Sequence, residues 1–122
     1  MPGSAHHRVL VVDDEGPVRE LLVDFLQAHG YVVEGAASAI DGVAAARERP
    51  PDVVLLDLNM PGPASGFDVV STLARDRPVI LISGAHDSEL AREALKRGAF
   101  DYVTKPFDLA RVSTVVAAAL NR

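Results

Sequence analysis

The chain has 122 residues, 48% of them hydrophobic, and a mean hydropathy of +0.16, which suits one compact domain with one core and leaves no room for a second. A formal net charge of -5, a pI of about 5.2 and scattered Lys and Arg give no electrostatic footprint for DNA or RNA, so direct nucleic-acid binding is not expected. The lack of cysteine excludes disulfides and thiolate metal sites, and no apolar run approaches the roughly 18 residues of a membrane span, so a soluble, cytoplasmic protein without membrane partners is expected. Residues 1–7 carry no basic segment followed by an apolar stretch, so they do not read as a signal peptide and are expected to be a disordered terminus or an expression remnant.

In chain order, Val9-Leu10-Val11-Val12 is an unbroken apolar run that predicts a strand buried on both faces. Val18, Leu21, Leu22, Phe25 and Leu26 then follow a helical period, with Pro17 opening the helix and Gly30 closing it. Tyr31 to Ala36 predicts a strand at the sheet edge, diluted by Glu34 and Gly35. Ser38 with Asp41 imitates a capping box for an Ala-rich second helix, which must stop before Pro50-Pro51. Val53-Val54-Leu55-Leu56 and Val79-Ile80-Leu81-Ile82 repeat the buried-strand pattern, and Phe100-Asp101-Tyr102-Val103 is a weaker version. Helices are expected from about Gly66 to Arg75, from about Ser88 to Arg97, and from Asp108 through Leu120. Five alternating β/α pairs predict a single α/β domain: a doubly wound, five-stranded parallel sheet of flavodoxin-like order 2-1-3-4-5, flanked by five helices.

In such folds ligands bind at the carboxyl ends of the strands. The residues there are Asp13 and Asp14 after the first strand, Asp57 after the third, Ser83 after the fourth and Lys105 after the fifth. Three carboxylates on one rim repel unless a cation sits among them, and an all-oxygen set suits hard Mg²⁺, with Mn²⁺ as the alternative. Mg²⁺ is commonly completed by phosphate oxygens, Lys105 offers a compact positive charge and Ser83 a hydroxyl donor, so the rim reads as a phosphoryl-transfer site with Asp57 as nucleophile.

Val11-Val12-Asp13-Asp14-Glu15, Leu55-Leu56-Asp57-Leu58-Asn59-Met60-Pro61-Gly62, Ile82-Ser83-Gly84 and Val103-Thr104-Lys105-Pro106-Phe107 together resemble the receiver domain of two-component response regulators, over about residues 8 to 121. Residues 8–122 would then be the receiver domain. The resemblance implies that Asp14 and Asp57 bind Mg²⁺ directly, Asp13 mainly through water, and the Asn59 backbone carbonyl supplies a further oxygen. It implies that Asp57 is the phosphoacceptor, fed by a sensor histidine kinase or phosphotransfer protein, with Lys105 and Ser83 assisting. Ser83 and Tyr102 would be the switch pair, altering the surface of the fourth helix, fifth strand and fifth helix that binds an output domain or partner, as a monomer or a phosphorylation-dependent dimer. The Lys105-Pro106 peptide is commonly cis in that family, and an X-Pro bond adopts that isomer at a cost of only about 0.5–1 kcal/mol. Such a domain is not a turnover enzyme, catalysing at most its own phosphorylation and dephosphorylation.

Three features depart from the family pattern. The turn Gly62-Pro63-Ala64-Ser65-Gly66 is one residue longer than usual and lacks an Asp-Gly pair, only 25 residues separate Asp57 from Ser83, and Ser83 replaces the commoner Thr. None removes a reacting group. An aspartyl-phosphate phosphatase is disfavoured because Asn59 stands where its general acid would be, and a flavin module because Asp13, Asp14 and Asp57 occupy the loops that would cradle a flavin phosphate. The alternative is a phosphate-independent receiver-like interaction module. Asp52, Asp87 and Asp108 are expected to cap elements, and His6, His7, His29 and His86 carry no assigned role.

Overall fold

A computed structural model describes residues 6–60, 66–84 and 88–121; His86, Asp87 and residues 61–65, which include all of the 62–66 segment except Gly66, lie outside the described residues. The elements are β1 (Arg8–Val12), α1 (Gly16–Ala28), β2 (Val32–Ala36), α2 (Ala39–Glu48), β3 (Val53–Asp57), α3 (Gly66–Ala74), β4 (Val79–Ser83), α4 (Ser88–Lys96), β5 (Asp101–Thr104) and α5 (Leu109–Leu120). All strand pairs are parallel, in the order β2-β1-β3-β4-β5, which is the expected architecture.

β3 and β4 are buried along their whole length and β1 from its second residue, whereas β2 and β5 are partly exposed edges. Side-chain alternation divides the core into two layers. Val9, Val11, Val53, Leu55, Ile80 and Ile82 pack with α1 and α5, while Leu10, Val12, Val54, Leu56, Val79 and Leu81 pack with α2, α3 and α4. Burial on both faces is why the three central strands lack polar alternation.

Local chemistry sets the element ends. Ser38 Oγ accepts the Asp41 N–H at 3.1 Å to start α2, and Asp108 Oδ1 accepts the Ala110 N–H at 3.0 Å to start α5. Asp52 Oδ2 accepts the Arg8 N–H at 2.7 Å, securing the start of β1. Gly30, at φ 92°, reverses the chain after α1. The Tyr31 N–H turns back to the Leu26 carbonyl, so β2 begins at Val32 rather than Tyr31. The Val32 N–H donates to the His7 carbonyl, extending the sheet's hydrogen bonding into the expected N-terminal tail. β5 runs one residue later than expected, from Asp101 to Thr104. Leu21 is 46% exposed because it lies at the margin of the α1 stripe centred on Val18, Leu22, Phe25 and Leu26. α3 has nine residues, which accounts for the short separation between Asp57 and Ser83. No helix among the described residues is long and apolar enough to cross a membrane.

α2 lies close to the sheet at Gly42, where an added Cβ would come within 2.8 Å of Val12 Cγ2. Val12 immediately precedes Asp13, so this contact supports the strand end that carries the acidic pair. Gly42→Val is expected to lower unfolding stability by about 1–3 kcal/mol through overpacking. A urea midpoint equal to that of the wild type would show that α2 can move away without cost.

Candidate functional site

Parallel strands bring Asp13, Asp57, Ser83 and Lys105 to one edge of the sheet. Asp13 is fully buried, Asp57 is 3% and Ser83 1% exposed, whereas Asp14 is exposed. Their positions are fixed by main-chain bonds: the Asp13 N–H donates to the Ala36 carbonyl at 3.0 Å, the Leu58 N–H to Ile82 at 3.1 Å and the Lys105 N–H to Ser83 at 2.8 Å. Arg19 on α1 donates from Nη1 to the Asp13 carbonyl at 2.8 Å. The Lys105-Pro106 peptide is cis.

Each buried carboxylate has one oxygen engaged by the following loop. Asp13 Oδ1 accepts the Glu15 N–H and Asp57 Oδ1 the Asn59 N–H, both at 2.9 Å. The second oxygens face Lys105 Nζ, Asp57 Oδ2 at 3.4 Å and Asp13 Oδ2 at 3.6 Å. Asp13 Oδ2 and Ser83 Oγ are buried with no hydrogen-bond partner among the described residues. Burial pushes the Asp13 carboxyl up to about 6; the Asp57 charge adds to this, while the Glu15 N–H and Lys105 oppose it. Burial lowers the Lys105 ammonium, but its bond to Glu15 and the fields of Asp57 and Asp13 outweigh that and hold it above the ordinary lysine range.

Carboxylate oxygens of Asp13, Asp14 and Asp57 lie within 4.8 Å of one another. Three hard oxygen donors, one of them the buried, unbonded Asp13 Oδ2, fit a divalent cation of the Mg²⁺ class. Asn59 is exposed beside them. Tyr102 stands apart on β5, 37% exposed, beside a cavity of about 270 Å³ lined also by Thr104, Pro106 and Arg111. Larger cavities, of about 420 and 540 Å³, are lined by residues such as Pro51 and Pro78 or Val43 and Leu73 and include none of the clustered acids. At the rim itself Asp14, Glu15 and Asn59 are exposed, beside the buried carboxylates of Asp13 and Asp57.

One site residue had no role assigned from sequence. Glu15 follows the acidic pair and reaches Lys105 Nζ with Oε1 at 2.7 Å, closer than either buried aspartate. The third consecutive acid of Asp13-Asp14-Glu15 was the available signal.

The response regulator receiver domain family matches residues 9–117. The chain is 42% identical over 116 residues to the transcriptional regulatory protein KdpE of Mycobacterium tuberculosis, covering 93% of this chain and 51% of KdpE. It is 33% identical over 119 residues to the nitrogen assimilation regulatory protein NtrX of Azorhizobium caulinodans, covering 94% of this chain and 26% of that protein. The chain thus spans about half or less of these relatives' length. Among solved structures, the receiver domain of NtrX from Brucella abortus superposes with a TM-score of 0.88 at 34% identity, covering 93% of this chain and 98% of that one.

Proposed function

Since the chain belongs to the receiver-domain family of two-component response regulators, we propose that it accepts a phosphoryl group on Asp57. The observation that carries this reading is the buried Asp57 carboxylate, 3.4 Å from the Lys105 ammonium and grouped with Asp13 and Asp14. A carboxylate oxygen of Asp57 forms the new bond to phosphorus while the donor's bond to phosphorus breaks and its electron pair leaves with the donor. Asp13, Asp14 and Asp57, with the Asn59 carbonyl, would hold Mg²⁺ or Mn²⁺, Asp13 mainly through water. Such a cation, when bound, supplies Lewis-acid neutralisation of phosphoryl oxygens.

Lys105 carries a permanent positive charge to the same oxygens, and the Ser83 hydroxyl is a ready donor because it has no hydrogen-bond partner among the described residues. The Asn59 N–H fixes the orientation of the Asp57 carboxylate, a preorganisation that needs no rearrangement at the moment of reaction. The exposed edge of the rim suits a phosphohistidine donor on a sensor kinase or phosphotransfer protein. Ser83 and Tyr102 form the switch, which alters the α4, β5 and α5 surface for an output domain or partner. The reading places the domain in the cytoplasm.

Incubation with Mg²⁺ and acetyl phosphate should add one phosphoryl group to the intact mass of the wild type. None should appear in Asp57→Asn or with chelator. Folded protein that neither gains mass nor binds Mg²⁺ would instead favour a phosphate-independent interaction module.

A further inference from the structure

Glu15 occupies the N-cap position of α1, yet its side chain makes no capping hydrogen bond. It reaches instead across to Lys105, 90 positions away in sequence, with the shortest of the three contacts that the ammonium makes. The Glu15 backbone is itself held by Asp13 Oδ1. A half-exposed carboxylate, with a side chain 58% accessible, therefore outcompetes two buried ones for the same cation. The two buried acids each keep a second oxygen facing Lys105 at 3.4 and 3.6 Å, beyond the usual charge-assisted distance of about 2.7–2.9 Å.

The geometry points to Glu15 as a positioning residue that holds the Lys105 ammonium at the outer edge of the acidic site, leaving the oxygens of Asp13 and Asp57 available to a divalent cation. The inference rests on the proposed function above. Without Glu15 the ammonium settles onto Asp57 Oδ2 and the unbonded Asp13 Oδ2 and competes with the cation for them. With Glu15 present, Lys105 exchanges this surface partner for a phosphoryl oxygen once Asp57 is modified. Glu15 acts through Lys105, not on the reacting atoms.

A double-mutant cycle tests this by Mg²⁺ titration of the full chain at constant ionic strength, using wild type, Glu15→Gln, Lys105→Met and the double variant. Glu15→Gln is expected to weaken Mg²⁺ binding by about fivefold when Lys105 is present, and by much less in the Lys105→Met background. Equal losses in both backgrounds would overturn the inference, because they would mean that Glu15 contributes only its field. No loss in either would overturn it as well. Acetyl phosphate labelling of the wild type, run in parallel, separates the two levels: labelled wild type with an uncoupled cycle removes only the role of Glu15, whereas unlabelled wild type removes the proposed function.

Discussion

The metal-free protein is expected to become less stable as pH rises from about 5 to 7.5, by on the order of 1–1.5 kcal/mol, which is opposite to the usual behaviour of a paired carboxylate. The cause is Asp13, whose carboxyl is raised from 3.8 to about 6 by burial and by the neighbouring Asp57. The folded state retains the proton more tightly than the unfolded chain. Its contribution is therefore fully present below about pH 4 and lost as pH rises through about 6. Lys105 is charged throughout this window in both states, so its contribution stays constant. Glu34, lowered by its bond to Arg49, contributes above 4.5 and loses that contribution only at lower pH. Asp13→Asn should flatten the profile and leave the variant more stable than the wild type at pH 7.5. Mg²⁺ should raise the melting temperature more at pH 7.5 than at pH 5, because binding at the lower pH must displace the Asp13 proton. Thermal melts with chelator across this range check the sign: stability that is constant or rises with pH would show that Asp13 ionises normally.

Lys105→Met should produce a larger loss with a different signature. It removes the shared cation from Asp57 and Asp13, both buried, and from Glu15. Removing one partner of a fully buried pair costs about 3–5 kcal/mol, and because Lys105 is one-quarter exposed a loss of about 2–4 kcal/mol is expected at pH 7.5 without metal. Saturating Mg²⁺ should recover much of it by supplying charge to the same carboxylates. Phosphoryl incorporation should still fall, by about 100-fold, because among the described residues no other Lys or Arg side chain pairs with Asp57. Urea unfolding with and without Mg²⁺ measures the first effect, and a metal-free variant as stable as the wild type would mean that solvent alone screens the acidic site.

The sheet was legible because burial on both faces of β1, β3 and β4 leaves apolar runs that no other short element needs, and because Gly30 and the prolines before β3 punctuate the helices. The strand-end rule groups Asp13, Asp14, Asp57, Ser83 and Lys105 from their positions in the sequence alone. Edge positions were less legible. Tyr31 fits a strand by composition, but its N–H belongs to the end of α1, and Leu21 fits the helical period but sits at the rim of the stripe. The difference in burial between the paired acids was also hidden. The family resemblance implies different metal roles for Asp13 and Asp14, but only strand geometry shows that the first is completely buried and the second lies in solvent. Glu15 was hidden for a related reason: its partner is distant in sequence, and a carboxylate at a helix N-cap already has an ordinary explanation.

Mapping the modified carboxylate is the most direct test of phosphoryl acceptance. Borohydride reduces an aspartyl phosphate to homoserine, so protein treated with Mg²⁺ and acetyl phosphate, then reduced and digested, records the site in its peptide masses. Homoserine at position 57, absent when Mg²⁺ is omitted, is the expected result. Homoserine at position 13 or 14, or no conversion in protein that gained phosphate, would contradict the assignment of Asp57 as the acceptor.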